Sequence, residues 1–348
     1  VKRRLERRLA ALLGGAAVWA CACAWAAPVV PAVLSQPALQ TPRALGAAMF
    51  VVARAGTRLV SAGERGIVLL SDDGGATWRQ ARVPVQVTLT ALRFVDEKRG
   101  WAAGHLGVIL HTADGGATWQ LQLDGVRAAA LMAQALRAAG HTNERAARRY
   151  EEEGPDKPFF DVDFIDAQRG VAVGAHNMAY TTQDGGRTWR PFGPTLPNPR
   201  GLHLYAARYV GRSLYLAGEQ GLLLKSDDGR SYTALPSPYK GSFFGLLAAR
   251  SGTLLAFGLR GHVFRSTDGG ASWETASSGT TASINAGIEV PDRTLVLLAQ
   301  TGEVLNSHDD GRTFTRMAGD AAPASGLAVT ERGQLVLAGL RGVRRPND

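Results

Sequence analysis

The sequence predicts an all-β protein, a seven-bladed β-propeller with a helical insertion between blades two and three. Three observations carry that prediction. A short segment ending in an aromatic recurs about every 41 residues, each period holds four strand-like runs, and one interval is longer by about 28 residues.

Residues 1–26 read as an export signal. Lys2, Arg3, Arg4, Arg7 and Arg8 open it, an apolar run follows from Leu9 to Ala20, and Ala24 and Ala26 are the small residues a signal peptidase requires. The apolar run is short and Ala-rich for a permanent span, and an uncleaved N-terminal anchor is the alternative. Val18-Trp19-Ala20-Cys21 is a poor lipidation site because of its bulky Trp. The expected location is therefore periplasmic, exported across the inner membrane, with or without a tether. Both cysteines, Cys21 and Cys23, fall inside the signal, so disulfides, Cys-ligated zinc and thiol chemistry are not expected after it. The formal net charge is +9, and the signal holds five bases and one acid, so about +5 remains without it. That mild surplus favours acidic partners or an anionic membrane surface. Without a basic run interleaved with aromatics, nucleic acid is not an expected partner.

Residues 27–47 are Pro-rich and are expected to donate a ring-closing strand to the propeller, which spans 48–345. Six related segments begin at Ser71 (SDDGGATW), Thr112 (TADGGATW), Thr182 (TQDGGRTW), Lys225 (KSDDGRSY), Ser266 (STDGGASW) and Ser307 (SHDDGRTF). Their spacings are 41, 70, 43, 41 and 41 residues. The chemistry of these segments suits a tight turn between the third and fourth strands. Asp73, Asp114, Asp184, Asp227, Asp268 and Asp309 are expected to accept hydrogen bonds from the turn's own amides. Trp78, Trp119, Trp189 and Trp273, with Tyr232 and Phe314 in the other two, are expected to pack into the sheet or against the next blade. A calcium role fails on ligand count, because no segment carries the spaced acids and closing Glu of a calcium loop. The last unit, Gly326 to Arg345, has three strand-like runs and no such segment, so a six-bladed ring with an appendage is the alternative.

Before each segment a Gly-x-x-Gly turn or a close variant joins strands two and three. Because strands alternate direction, these turns share a face with the connections between blades, and the Asp turns lie on the other. The insertion, residues 124–156, must emerge on the Gly-x-x-Gly side. Val126 to Ala139 and Asn143 to Glu153 read as two helices, with Leu131, Ala135 and Leu136 as the apolar stripe of the first. It is either a hairpin packed on the rim or a lid over the face. The same face carries Arg65, His105, His176, Glu219, Arg260 and Arg341, the candidate partner-binding residues. Three Arg at equivalent places on a ring suit an acidic tail or carboxylate. His105 and His176 are not equivalent in their turns, and His111, His141, His203, His262 and His308 show no ligand spacing, so no metal or cofactor is expected.

The six segments resemble the Asp-box (BNR) repeat of sialidases and many other propellers. The fuller pattern resembles the repeat of the Ycf48/HCF136-like photosystem II assembly factors. Phe94-Val95-Asp96, Gly100-Trp101-Ala102-Ala103-Gly104, Val108-Ile109-Leu110 and Thr112 to Trp119 carry that likeness, which Phe164 to Gly174 repeats. The resemblance implies a seven-bladed propeller acting as an assembly or stability factor for a membrane protein complex, binding the complex or its exposed loops. An accessory role in an envelope transport system and peripheral membrane association are compatible with it. A glycan-binding protein or sialidase-like glycoside hydrolase is the competing reading. It lacks an Arg-Ile-Pro start and an evident pair of carboxylates aimed at one cleft, so no catalytic residue is assigned.

Overall fold

The structure is a computed structural model that describes residues 30–140, 144–319 and 322–346. The expected signal, both cysteines and His141 lie outside the described residues. The strands form seven antiparallel sheets in simple chain order, six of four strands and one of three. The innermost strands are Met49–Ala55, Leu89–Phe94, Phe159–Phe164, Leu204–Val210, Phe243–Ala248, Ile284–Glu289 and Ala324–Val329. Each lies beside the next around the ring, and the seventh lies against the first. The architecture is therefore a closed seven-bladed propeller, not a six-bladed one.

Second strands such as Gly100–Gly104, Gly170–Gly174 and Leu254–Gly258 are buried along their whole length. They sit between two strands of their own blade and between two neighbouring blades, which is why they read as unbroken apolar runs. Trp101 shows the packing between blades. Its ring stacks on Phe164 of blade three at 3.5 Å, with planes 9° apart, and its Nε1 donates to the Gly185 carbonyl at 3.2 Å.

The Asp boxes are hydrogen-bonded knots. In the first, Asp73 Oδ1 accepts from the Ser71 hydroxyl (2.8 Å) and the Thr77 amide (2.9 Å), and Oδ2 accepts from the Thr77 hydroxyl (2.6 Å). The Ser71 hydroxyl in turn accepts the Gly75 amide at 2.7 Å. Gly75 holds φ +91, a conformation a side chain would strain. Asp114, Asp184, Asp268 and Asp309 repeat the pattern.

The fourth box corrects the sequence reading. The tied carboxylate is Asp228, not Asp227: it accepts from Ser226, Arg230 and Ser231, while the Ser226 hydroxyl accepts the Gly229 amide. This box starts at Ser226, the last residue of its strand, and is one residue shorter than the others, so Lys225 is not its first residue. Asp227 faces outward to Lys225 at 3.1 Å and contacts the Ser213 hydroxyl.

The expected ring-closing strand is also corrected. Blade seven keeps three strands, Ala324–Val329, Leu335–Gly339 and Gly342–Arg344. The described part of the Pro-rich segment forms two short 3-10 turns, Ala32–Leu34 and Pro42–Gly46. Its prolines lack the amide a ladder needs. Its backbone bonds within these turns and to the connection between blades one and two, with Ala38 N donating to Val83 O at 2.9 Å and Val33 O accepting from Gln86 N at 2.8 Å. The ring closes by packing. Met49, Val52 and Leu59 of blade one share an apolar cluster with Ala328, Val336 and Ala338 of blade seven. Arg345 reaches from blade seven to the Gly74 carbonyl at 3.1 Å.

Two outcomes follow from this packing and these knots. Trp101→Ala, which empties a fully buried site, is expected to lower unfolding free energy by about 3–5 kcal/mol in urea titration. Burial alone would raise Asp309, but bonds from Thr313, Ser307 and the Arg312 amide outweigh it and hold its carboxyl at about 2. Asp114 and Asp184 are lowered too, their box bonds again overcoming burial. An unfolded Asp titrates near 3.9, so the unfolded state takes up protons first as pH falls. The urea midpoint should therefore be insensitive to these groups above about pH 5 and fall steadily from about pH 4 to pH 2.

Candidate functional face

Five strand-two to strand-three turns are single 3-10 turns, at Glu64–Gly66, His105–Gly107, Ala175–Asn177, Glu219–Gly221 and Leu259–Gly261. Each middle residue holds positive φ: Arg65 51, Leu106 50, His176 50, Gln220 52 and Arg260 58. The close approach of the backbone makes the flanking glycines necessary. A Cβ on Gly218 would sit 2.1 Å from the His203 carbonyl, and one on Gly221 would sit 1.9 Å from that of Tyr239. The turns are thus pinned against the connections between blades, and the middle side chains Arg65, His176, Gln220 and Arg260 are exposed while Leu106 packs on the core. Blade seven differs, with a two-residue turn of Leu340 and Arg341 between the paired Gly339 and Gly342.

Arg65, His105, His176, Arg260 and Arg341 are exposed, and Glu219 is half-buried. The structure places the three arginines on blades one, five and seven, with blade six between Arg260 and Arg341. None forms an ion pair with a described residue. Three acids of this face, in contrast, are occupied. Glu64 accepts the Ala48 amide (3.0 Å), and Glu219 accepts the His203 amide (2.8 Å). Glu303 accepts the Thr280 hydroxyl (2.9 Å) and pairs with Arg316 (2.8 Å). The face therefore presents cations whose nearest carboxylates are tied to backbone or to other partners.

His176 and Glu219 are brought together through His203, a residue the sequence offered no reason to select. His203 Nδ1 accepts the His176 amide at 3.2 Å and lies 3.5 Å from Glu219 Oε2. The two imidazole rings meet edge to face at 4.6 Å. Burial, then the neighbouring His203, Lys157 and Arg149, lower the His176 pKa. Burial and the Glu219 charge raise that of Tyr205.

Tyr205 belongs to an arc of rings that also escaped sequence reasoning. Phe160, Tyr205 and Phe244 occupy the second residue of the inner strands of blades three, four and five, all partly exposed. Tyr205 lies 5.1 Å from Phe160 and 5.4 Å from Phe244, and His203 lies 5.9 Å from Phe160. At each of these positions the strand skips one residue in its pairing, a β-bulge that turns the side chain out of the ladder at the mouth of the ring. Phe50, Thr90, Asn285 and Ser325 hold the equivalent places in the other blades. Period-two alternation conceals a bulge. The usable signal was the register of the repeat, which aligns these seven residues.

The insertion flanks the arc. Helix α1 spans Gly125–Ala138, capped by Asp124, and helix α2 spans Glu144–Glu153. Leu131, Ala135 and Leu136 are only partly buried. The buried stripe is Ala128, Ala129, Met132 and Ala133, turned against Met178 and Tyr180 of blade three. The Tyr180 hydroxyl donates to the Ala128 carbonyl (2.7 Å), and the Tyr150 hydroxyl donates to the His176 carbonyl (2.9 Å). The hairpin is therefore anchored on blade three and buttresses the His176 turn from its outer side.

Asp161 and Asp163, two acids on one inner strand, serve structure. Asp161 accepts the Ala207 amide (3.0 Å) and Arg208 (2.7 Å), and Asp163 accepts the Tyr209 amide (2.7 Å) and pairs with Arg93 (2.8 Å). Burial raises the Asp161 pKa even though Arg208 opposes it. Together they stitch the inner strand of blade three to that of blade four. A cavity of about 310 Å³ lies between blades six and seven and is lined by Met317, Leu335 and Leu337, away from the arc.

A ring of this build, with Asp-box knots on one face and a cationic, partly aromatic turn face on the other, defines an Asp-box propeller with one face available to a partner. A profile of the family described as photosynthesis system II assembly factor YCF48 matches residues 45–132 and 150–314, and the chain belongs to that family. A curated relative, the photosystem II assembly lipoprotein Ycf48 of Synechococcus sp. (strain CC9902), is 33% identical over 124 residues, 33% of this chain. That match spans only 36% of the relative's length. Among solved structures, one titled YCF48 bound to D1 peptide has a TM-score of 0.64 at 15% identity, covering 90% of this chain and 96% of its own. YCF48 from Cyanidioschyzon merolae gives 0.63 at 14%, covering 88% and 97%. A streptogramin B lyase gives 0.67 at 10%, covering 86% and 93%. At such identities these structures share the fold, and that fold serves binders and enzymes alike.

The His203 contact makes a local prediction. His203→Phe keeps a ring beside His176 and Tyr205 but removes the acceptor. Amide exchange at His176 should quicken while global stability changes by no more than about 1 kcal/mol. Unchanged exchange at that amide would mean the acceptor is not holding the turn.

Proposed function

We propose that this chain is a non-catalytic, exported scaffold whose turn face holds an exposed segment of a membrane protein complex. The observation that carries the reading is the pairing on one face of unpaired cations, Arg65, Arg260 and Arg341, with the half-exposed arc of Phe160, Tyr205 and Phe244. Such a face suits an extended segment with acidic and apolar side chains. The rings supply area at low entropic cost, and the guanidinium groups supply charge complementarity. Family membership supports the assembly role, and the names carried by its relatives make photosystem II the first client to test.

Catalysis finds little support among the described residues. A glycosidase needs two free carboxylates across a cleft. Asp161 and Asp163 are instead tied to the neighbouring strand, and the box acids to their own turns.

The test is capture of the client from solubilised membranes, with two variants run in parallel. Arg65, Arg260 and Arg341 changed together to Glu should weaken capture by at least about a hundredfold, most steeply at low salt. Phe160→Ala, Tyr205→Ala and Phe244→Ala together should weaken it by a similar factor with little salt dependence. Both proteins should keep the parent's thermal midpoint to within a few degrees. Full capture by both variants would remove the turn face from consideration.

A further inference from the structure

Six large apolar side chains are exposed among the described residues, and four of them cluster along one arc of the turn face. Leu39 is 71% exposed, Leu340 63%, Val30 55% and Leu45 50%. Three lie on residues 30–47, which cross this face, and the fourth lies on the blade-seven turn that the segment meets. The path is fixed by contacts. Gln80, on the outer strand of blade one, donates to the Leu39 carbonyl (2.8 Å) and accepts the Thr41 amide (3.1 Å). Ala38 sits against Gly66 in the Arg65 turn. Further along, the Leu45 carbonyl comes within 2.4 Å of where a Cβ on Gly342 would stand, which sets Leu45 beside the turn of Leu340 and Arg341.

The charge along this arc is one-sided. Residues 30–47 hold no Asp or Glu, and their one ionisable side chain is Arg43, which is exposed. Arg341 and Arg65 adjoin the path, and the nearest acid, Glu64, is occupied by the Ala48 amide. Leu39, Leu45 and Leu340 line neither the cavity at the seam between blades six and seven nor the open clefts beside the insertion and the Asp-box turns. Separate leucines interspersed with unpaired arginines, without a shaped pocket, match the requirements of a lipid interface better than those of a complementary protein surface. The segment preceding the arc has the same character, five bases followed by an apolar run from Leu9 to Ala20.

We propose that this arc, residues 38–46 with Leu340 and Arg341, docks on an anionic lipid surface. Leu39, Leu45 and Leu340 enter the headgroup boundary, and Arg43 and Arg341 pair with lipid phosphates. Docking of this kind orients the ring with its turn face toward the bilayer, where loops of membrane proteins emerge. The inference does not depend on the client proposed above, because it is tested with lipid alone.

The experiment is amide hydrogen exchange on the full chain, with and without vesicles of phosphatidylcholine containing about 30% phosphatidylglycerol, set beside vesicle co-sedimentation. Exchange should slow across residues 38–46 and 339–342 and stay unchanged in the Asp-box turns. Leu39→Ser, Leu45→Ser and Leu340→Ser together should reduce vesicle affinity about tenfold without moving the thermal midpoint. Raising the salt, or replacing the anionic lipid with neutral lipid, should reduce it further. Protection confined to residues 1–29 would overturn the proposal. So would equal binding by the triple variant, or protection that appears without vesicles through self-association.

Discussion

The carboxylate of each full-length Asp box closes its turn on itself and leaves the carbonyl of the following residue facing the preceding blade. That carbonyl is where neighbouring blades are joined. Arg58 of blade one donates to Gly115 in the second box, Trp101 to Gly185 in the third, and Tyr215 to Gly269 in the fifth. Arg265 donates to Asp310 in the sixth, and Arg345 returns from blade seven to Gly74 in the first. Three kinds of side chain serve the same acceptor, so the ring requires the box geometry more than any particular donor. The fourth box is a residue short, and at that junction Phe192 stacks on Tyr232 at 5.2 Å instead.

This division of labour separates the two faces. The Asp-box face spends its polar groups on its own turns and on the neighbouring blade. On the turn face the backbone and the carboxylates do the holding, and four of the five middle side chains of the 3-10 turns are left exposed. Glu219 illustrates the difference between position and role: it lies among the candidate binding residues, yet its carboxylate fixes the start of the inner strand of blade four through the His203 amide. The helical hairpin extends the same logic, since Tyr150 stabilises the His176 turn through its carbonyl.

The period, the blade count and the location of the insertion were legible because each depends on residues with a single physical task. A glycine at positive φ, an Asp accepting turn amides and a closing aromatic recur at fixed offsets. The reading slipped where offset and chemistry diverged. Lys225-Ser226-Asp227-Asp228 offers two frames, and only the observed strand end selects Ser226 and Asp228. The helical stripe was only partly legible: Leu131 and Leu136 pack at the edge of this core, but the fully buried positions are Ala128, Ala129, Met132 and Ala133. Of the candidate site, the outward residues of the turns were accessible from topology. His203 and the arc of Phe160, Tyr205 and Phe244 were not, because a bulge moves them out of the alternation that sequence reading relies on.

The account stands on the turn face being the working face. Crosslinking of the protein in native membranes, followed by mass spectrometry of the linked peptides, addresses that claim directly. Crosslinks from one membrane complex to residues of the Gly-x-x-Gly turns and of the α1–α2 hairpin are the expected result. Crosslinks concentrated on the Asp-box turns, with the turn face unmarked, would contradict it.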